Sequence, residues 1–181
     1  MTSRMEEPLM LTVKNPGHRE ACSRVDRHYW IDTLRDGRPV LIRHLAQKDR
    51  ERESTFIRRL APQSRYMRFL AQIRESGKGI AYIAMVHDKG QLIEIGVSRY
   101  VAAGEHKFEC LLAVADDWKR LGVGTLLMEH LIDAARKNKV HLMFSVAPSS
   151  NASMRDMARS LGFEAHEDPF DPRQVTHCLY L

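Results

Sequence analysis

Lys107-Phe108-Glu109-Cys110-Leu111-Leu112-Ala113-Val114-Ala115-Asp116-Asp117-Trp118-Lys119-Arg120-Leu121-Gly122-Val123-Gly124-Thr125-Leu126-Leu127 is the stretch whose reading decides the fold. An apolar, β-prone run from Phe108 to Ala115 breaks at Asp116-Asp117 into a short basic turn. At Gly122-Val123-Gly124 the pattern changes to an amphipathic helix. A strand, a loop and a helix N-terminus thus follow one another directly. A helix N-terminus offers unpaired backbone N–H groups and the positive end of the macrodipole, so this order of elements suits a phosphate or pyrophosphate.

Working outward, Val123, Leu127, Met128, Leu131, Ala134 and Ala135 form one stripe of that helix, opposite Glu129, Asp133, Arg136 and Lys137. It is expected to lie on a sheet. Asn138-Lys139 ends it, and Val140 to Ala147 reads as the next strand. Ser149-Ser150-Asn151 then supplies N-cap chemistry for a helix carrying Met154, Met157, Ala158 and Leu161, stopped at Gly162. Phe163–Glu167 and Val175–Leu181 read as a closing pair of strands.

Upstream, Asp36-Gly37 between Tyr29-Trp30-Ile31 and Pro39-Val40-Leu41-Ile42 is a hairpin signal, and Asp88-Lys89-Gly90 between Ile80–Val86 and Leu92–Val101 is a second. Between the hairpins, Gln47–Leu60 and a stretch opened by Pro62 through Tyr66, Phe69 and Leu70 read as two basic helices, expected to be solvated faces partly paired with Asp49, Glu51 and Glu53. Residues 1–26 read as a loose arm and 27–181 as one domain.

Composition bounds the answer. With 181 residues, 44% hydrophobic and 28% charged, the chain suits one buried core, and its net charge of +5 admits an anionic partner without naming it. Cys22, Cys110 and Cys178 are an odd number with no CxxC pair, which points to a reducing, cytoplasmic setting. The nine histidines show no metal-ligand spacing and are expected to be scattered over the surface, so no metal is expected. No apolar run approaches a membrane span.

Two familiar phosphate loops fail on spacing. A P-loop needs GxxxxGK and then Ser or Thr, and a dinucleotide fingerprint would require its third glycine at Leu127. Lys119-Arg120-Leu121-Gly122-Val123-Gly124, set between a strand and a long helix and followed by a strand and an Asn-capped helix ending Leu161-Gly162-Phe163, instead resembles the acetyl-CoA site of the GNAT superfamily of N-acetyltransferases. The resemblance covers roughly Gly37 to Leu181. Val114-Ala115-Asp116-Asp117-Trp118, Asp36-Gly37 before Val40-Leu41-Ile42-Arg43, Ser64-Arg65-Tyr66-Met67-Arg68-Phe69, and Asn151 with Met154 look like the acetyltransferase domain of Pat-type protein lysine acetyltransferases.

The resemblance implies an α/β (α+β) fold with a mixed, mostly antiparallel central sheet flanked by helices. It implies acetyl-CoA as cosubstrate, held by Lys119, Arg120, Leu121, Gly122, Val123, Gly124 and Thr125 at the pyrophosphate and by Asn151 at the pantetheine arm, where helix capping is the other role open to Asn151. Glu109 would be the general base, and the Val114 N–H would polarise the thioester carbonyl and contact the cofactor. Tyr66 and Arg68 would border the acceptor, with ordinary helix packing and solvation as the preferred role for both. Family patterns carry Gln or Arg where Lys119 stands, and many members carry a tyrosine acid where Ala158 stands. The expected acceptor is protein lysine, with a small amine (polyamine or antibiotic) or a non-catalytic acyl-CoA-binding module as alternatives. A nucleic-acid-binding module is a further alternative that steeply salt-dependent DNA binding would reveal; nucleic acid and membrane are not expected partners, and a monomer or homodimer is expected.

Overall fold

The computed structural model describes residues 29–60 and 79–181. The arm expected over 1–26 and the helix expected through Tyr66 to Leu70, with Arg68, lie outside the described residues. One eight-stranded sheet organises the rest, in the order β1-β2-β3-β4-β5-β6-β8-β7.

The two turn signals close as expected. β1 (Tyr29–Thr33) pairs antiparallel with β2 (Pro39–His44), and β3 (Gly79–Asp88) pairs with β4 (Gln91–Gly104) through Lys89-Gly90. A short 3₁₀ turn (Gln47–Asp49) and α1 (Arg50–Arg59) lie between the hairpins. β5 (Lys107–Val114) continues the meander, a 3₁₀ turn (Asp116–Trp118) follows, and α2 spans Val123–Lys137. β6 (Leu142–Pro148) returns parallel to β5. α3 (Ala152–Ser160), β7 (Glu164–Glu167) and β8 (Gln174–Tyr180) complete the chain, with β8 inserted antiparallel between β6 and β7.

The apolar stripe read for α2 is buried as expected, with Ile132 added to it. Val140 is buried but precedes its strand: its N–H donates to Ala135 O at 3.0 Å as part of the helix end, after Lys139 turns left-handed at φ 56°. Alternation along the strands divides the core in two. Val40, Ile42, Tyr82, Ala84, Cys110 and Met143 pack under α2, whereas Ile83, Met85, Val97 and Ala113 pack under Phe56 and Leu60 of the α1 segment. The surface reading of the histidines fails at His177, which is buried because its strand position faces inward. Among the described residues no helix is long and apolar enough to cross a membrane, and no group of three or more His, Cys, Asp or Glu could hold a metal ion.

Candidate active site

β5 is paired along its whole length with β4, from Ala102↔Phe108 to Gly96↔Val114, but with β6 only from Lys107↔Leu142 to Glu109↔Phe144. Beyond Glu109 the two parallel neighbours part, and β6 continues against β8 from Ser145↔His177 to Pro148↔Gln174. A gap therefore opens inside the sheet. Its polarity follows from one hydrogen bond: Ala115 N–H donates to Ile95 O at 2.9 Å, so residues of odd number along β5 spend their N–H and C=O groups on β4. Leu112 and Val114 have the opposite parity, and their backbone groups aim into the gap. An extended ligand carrying secondary amides could complete that ladder as an added strand does.

Directly after the gap the chain turns sharply. Arg120 and Gly122 are left-handed, at φ 64° and 90°, and Gly122 is the N-cap of α2 with no side chain capping it. The first bond of the helix is Leu126 N–H to Gly122 O at 3.1 Å, so the N–H groups of Val123, Gly124 and Thr125 have no partner within the helix. Gly124 sits where α2, β5 and α3 converge. A Cβ there would stand 3.2 Å from both Leu112 Cδ2 and Met157 Sδ, and 3.7 Å from Val114 Cγ2, so any side chain would crowd the mouth of the gap. Unpaired donors, a helix dipole and glycine clearance at the gap's end together fit a phosphate-bearing ligand with a slender amide arm.

The remaining expected residues fall around this frame. Lys119 is tethered by an ion pair to Asp116, which leaves the loop's backbone as its principal anion-binding surface. Asn151 Oδ1 accepts from Met154 N–H at 3.1 Å and caps α3, leaving its side-chain NH₂ at the β6–α3 junction. Ala158 is buried in the core and offers no proton. Trp118 packs against the larger core cluster, as an anchor for the turn.

Glu109 occupies the last rung before β5 and β6 separate, between Val101 and Phe144. Its parity matches Leu111 and Ala113, so its carboxylate lies on the α1 face, opposite the face that receives α2. Partial burial raises its pKa above the usual carboxylate value, which suits a group that must take up a proton near neutrality. Along an extended strand Val114 stands about 16 Å from Glu109 and Leu112 about 10 Å. Leu112 is thus the gap-facing N–H nearer the carboxylate, and motif reading missed it because only the β4–β5 hydrogen-bond parity reveals it.

Neither described cysteine is a ready nucleophile. Cys110 is buried, its thiol donates to Phe144 O at 3.2 Å, and burial pushes its pKa up to about 12; burial also raises Cys178. On the α1 face the basic side chains are largely engaged. Arg43 grips Asp49 through two bonds of 2.7 and 2.8 Å, Arg99 pairs with Glu53 at 3.1 Å, and Arg59 donates to Glu94 O at 2.9 Å.

Known proteins resemble this chain in sequence and in fold. The sequence profile of the acetyltransferase (GNAT) family matches residues 41–163. An acetyltransferase of Pseudomonas aeruginosa is 42% identical over 186 residues, spanning 95% of this chain and 100% of that protein. Among solved structures, the GNAT domain of S. lividans PAT superposes with a TM-score of 0.72 at 19% identity, covering 88% of this chain and 100% of its own. The ribosomal-protein-alanine N-acetyltransferase from Brucella melitensis gives 0.55 at 20% identity, with 77% and 99% covered. At these identities the two structures speak for the fold alone.

Proposed function

This chain belongs to the acetyltransferase (GNAT) family, whose enzymes use acetyl-CoA as cosubstrate, and we propose on that premise that it acetylates the ε-amine of lysine in proteins with Glu109 as general base. The observation that carries the reading is the parting of β5 from β6 immediately after Glu109, beside the glycine-led N-terminus of α2. Acetyl-CoA supplies an acyl thioester. The chain's own groups then divide the work. The turn of residues 119–125 holds the pyrophosphate through its unspent backbone N–H groups, the N–H and side chain of Lys119 being engaged by Asp116, and the Arg120 side chain adds positive charge around it. Leu112, Val114 and Asn151 line the path of the pantetheine arm.

The gap passes through the sheet, so a donor entering beneath α2 meets an acceptor arriving on the α1 face, where Glu109 stands. A lysine ammonium has a pKa near 10.4 and must lose its proton before it attacks a thioester. Glu109, its affinity for protons raised by burial, takes that proton directly or through one water. Attack is direct on this reading, since among the described residues neither Cys110 nor Cys178 is poised to carry the acyl group. The gap-facing N–H groups of β5 stabilise the charge that grows on the carbonyl oxygen, with Leu112 sharing the role assigned to Val114. With Ala158 at the position of the tyrosine acid, the leaving thiolate departs without a dedicated donor from α3.

Incubation with acetyl-CoA and a panel of lysine-bearing proteins, polyamines and aminoglycosides, followed by release of free CoA, tests the reading. Turnover on proteins supports it, turnover on small amines alone replaces the acceptor, and none on any of them overturns the activity. Glu109→Gln is expected to lower kcat about 10²- to 10⁴-fold and to abolish the acidic limb of the pH profile. Full rate across pH in that variant would remove Glu109 from the role.

A further inference from the structure

The turn between β1 and β2, residues 34–38, lies against the outer side of the phosphate loop, and nothing in the mechanism above uses it. It is a closed turn: Gly37 N–H donates to Leu34 O and Leu34 N–H to Arg38 O, both at 2.9 Å. From it Arg35 N–H donates to Leu121 O at 3.0 Å, and Arg35 Nη1 reaches Arg120 O at 3.5 Å. The aliphatic stem of Arg35 covers Gly122, its Cγ lying 3.5 Å from where a Cβ would stand. Arg38, held by Asp36 through Nε to Oδ2 at 2.8 Å, lays its guanidinium 4.0 Å from the Trp118 ring centroid at the loop's entrance.

The hairpin is also fixed at its base. Asp32 Oδ2 meets His130 Nε2 at 2.7 Å in the middle of α2, and the His130 ring lies 4.4 Å from Trp30. The hairpin therefore bridges the body of α2 and the loop that begins it.

The peptide bond gives this contact its consequence. In a trans peptide the C=O and the following N–H point in opposite directions. Drawing the carbonyls of Arg120 and Leu121 outward to Arg35 turns the N–H groups of Leu121 and Gly122 inward, alongside the unpaired donors of α2. Left-handed conformations at Arg120 and Gly122 complete a concave set of donors of the kind that receives anions. A non-glycine residue in that conformation has a cost that neighbouring structure must offset, and the Arg35 contacts lie at that point.

The backbone bond to Leu121 O is one that any residue other than proline would make at position 35. We propose that the Arg35 side chain, through Arg120 O and its stem over Gly122, is a positioning group that clamps the phosphate loop from outside and aims its backbone donors at the pyrophosphate of acetyl-CoA; this rests on the reading of the loop as the CoA site. The test compares acetyl-CoA with S-acetylpantetheine, a thioester donor without phosphates. The wild-type enzyme is expected to prefer acetyl-CoA in kcat/KM. Arg35→Ala is expected to raise KM for acetyl-CoA about fivefold with kcat nearly unchanged, and to leave kcat/KM for S-acetylpantetheine as it was. Equal losses on both donors would mark a merely structural role, and no loss on either would remove the role altogether; both overturn the clamp. Arg35→Met keeps the stem over Gly122 and reads the guanidinium alone should Arg35→Ala fail to accumulate. A wild-type enzyme that uses both donors equally would overturn the loop reading and the clamp with it, whereas a wild-type preference retained in full by both variants would overturn the clamp alone.

Discussion

Between the sheet and α2 lie Ile95 and Met143 of the strands and Leu127 and Leu131 of the helix, with no carboxylate or guanidinium among them, whereas between the sheet and the α1 segment lie Glu94, Arg99 and Ile83 of the strands with Asp49, Glu53 and Phe56. Both faces belong to the same strands. β5 sends Cys110, Leu112 and Val114 to the first and Glu109, Leu111 and Ala113 to the second, so apolar packing and the carboxylate fall on opposite sides of one strand. Apolar burial on the α2 face holds the helix whose first N–H groups, from Val123 to Thr125, have no partner within it. The α1 face tolerates ionisable groups because most of them are paired, and it is where the pKa of Glu109 is raised.

The contrast can be broken most severely on the apolar side. Leu131→Ala, at a position with no solvent exposure, is expected to cost about 3–5 kcal/mol in denaturant unfolding. On the charged side the largest effect falls on the Arg43–Asp49 pair. Bonds from Arg43 hold the Asp49 pKa down at about 2. Its contribution is present above the ordinary value of 3.8 and disappears as pH falls towards 2. Asp49→Asn should therefore cost about 2 kcal/mol at pH 7, and its stability should converge with that of the wild type across that acid window.

Glu94 sharpens the comparison with the opposite sign. Both carboxylate oxygens are buried with no hydrogen-bond partner, and burial, with Glu53 nearby, pushes its pKa up to about 8. Between the ordinary value of 4.5 and 8 the native chain holds a proton that the unfolded chain releases, so stability falls as pH rises through that window. Glu94→Gln is expected to stabilise the protein by about 1–2 kcal/mol at pH 8, with the gain shrinking towards pH 4.5. The smallest effect lies between the faces. Arg38→Ala removes the stack on Trp118 and should cost about 0.5–1 kcal/mol, read as a small shift in Tm.

Much of this was legible in the chain. Both hairpin turns, the apolar stripe of α2 and the Asn151 cap are local patterns in which a few neighbouring residues carry the whole signal. Glu94 was not legible, because pairing skips Ile95: Ala84 faces Gly96 while Met85 faces Glu94. That extra residue shifts the alternation and turns a charged side chain inward. Leu112 and Arg35 were missed for a related reason. One depends on which neighbour takes each backbone group, and the other joins residues 85 positions apart.

The sequence by itself determined the hairpins, the α2 stripe and the glycine-led turn at 122–124, because propensity, capping and periodicity act over a few residues, whereas Glu109 was singled out only by the family resemblance. Only the tertiary structure decided that β5 and β6 part after Glu109, that Leu112 and Val114 aim their N–H groups into the opening, and that a distant hairpin grips the loop that begins α2. Those facts follow from strand order, ladder parity and the direction of individual peptide groups, which depend on partners that the neighbouring sequence does not name.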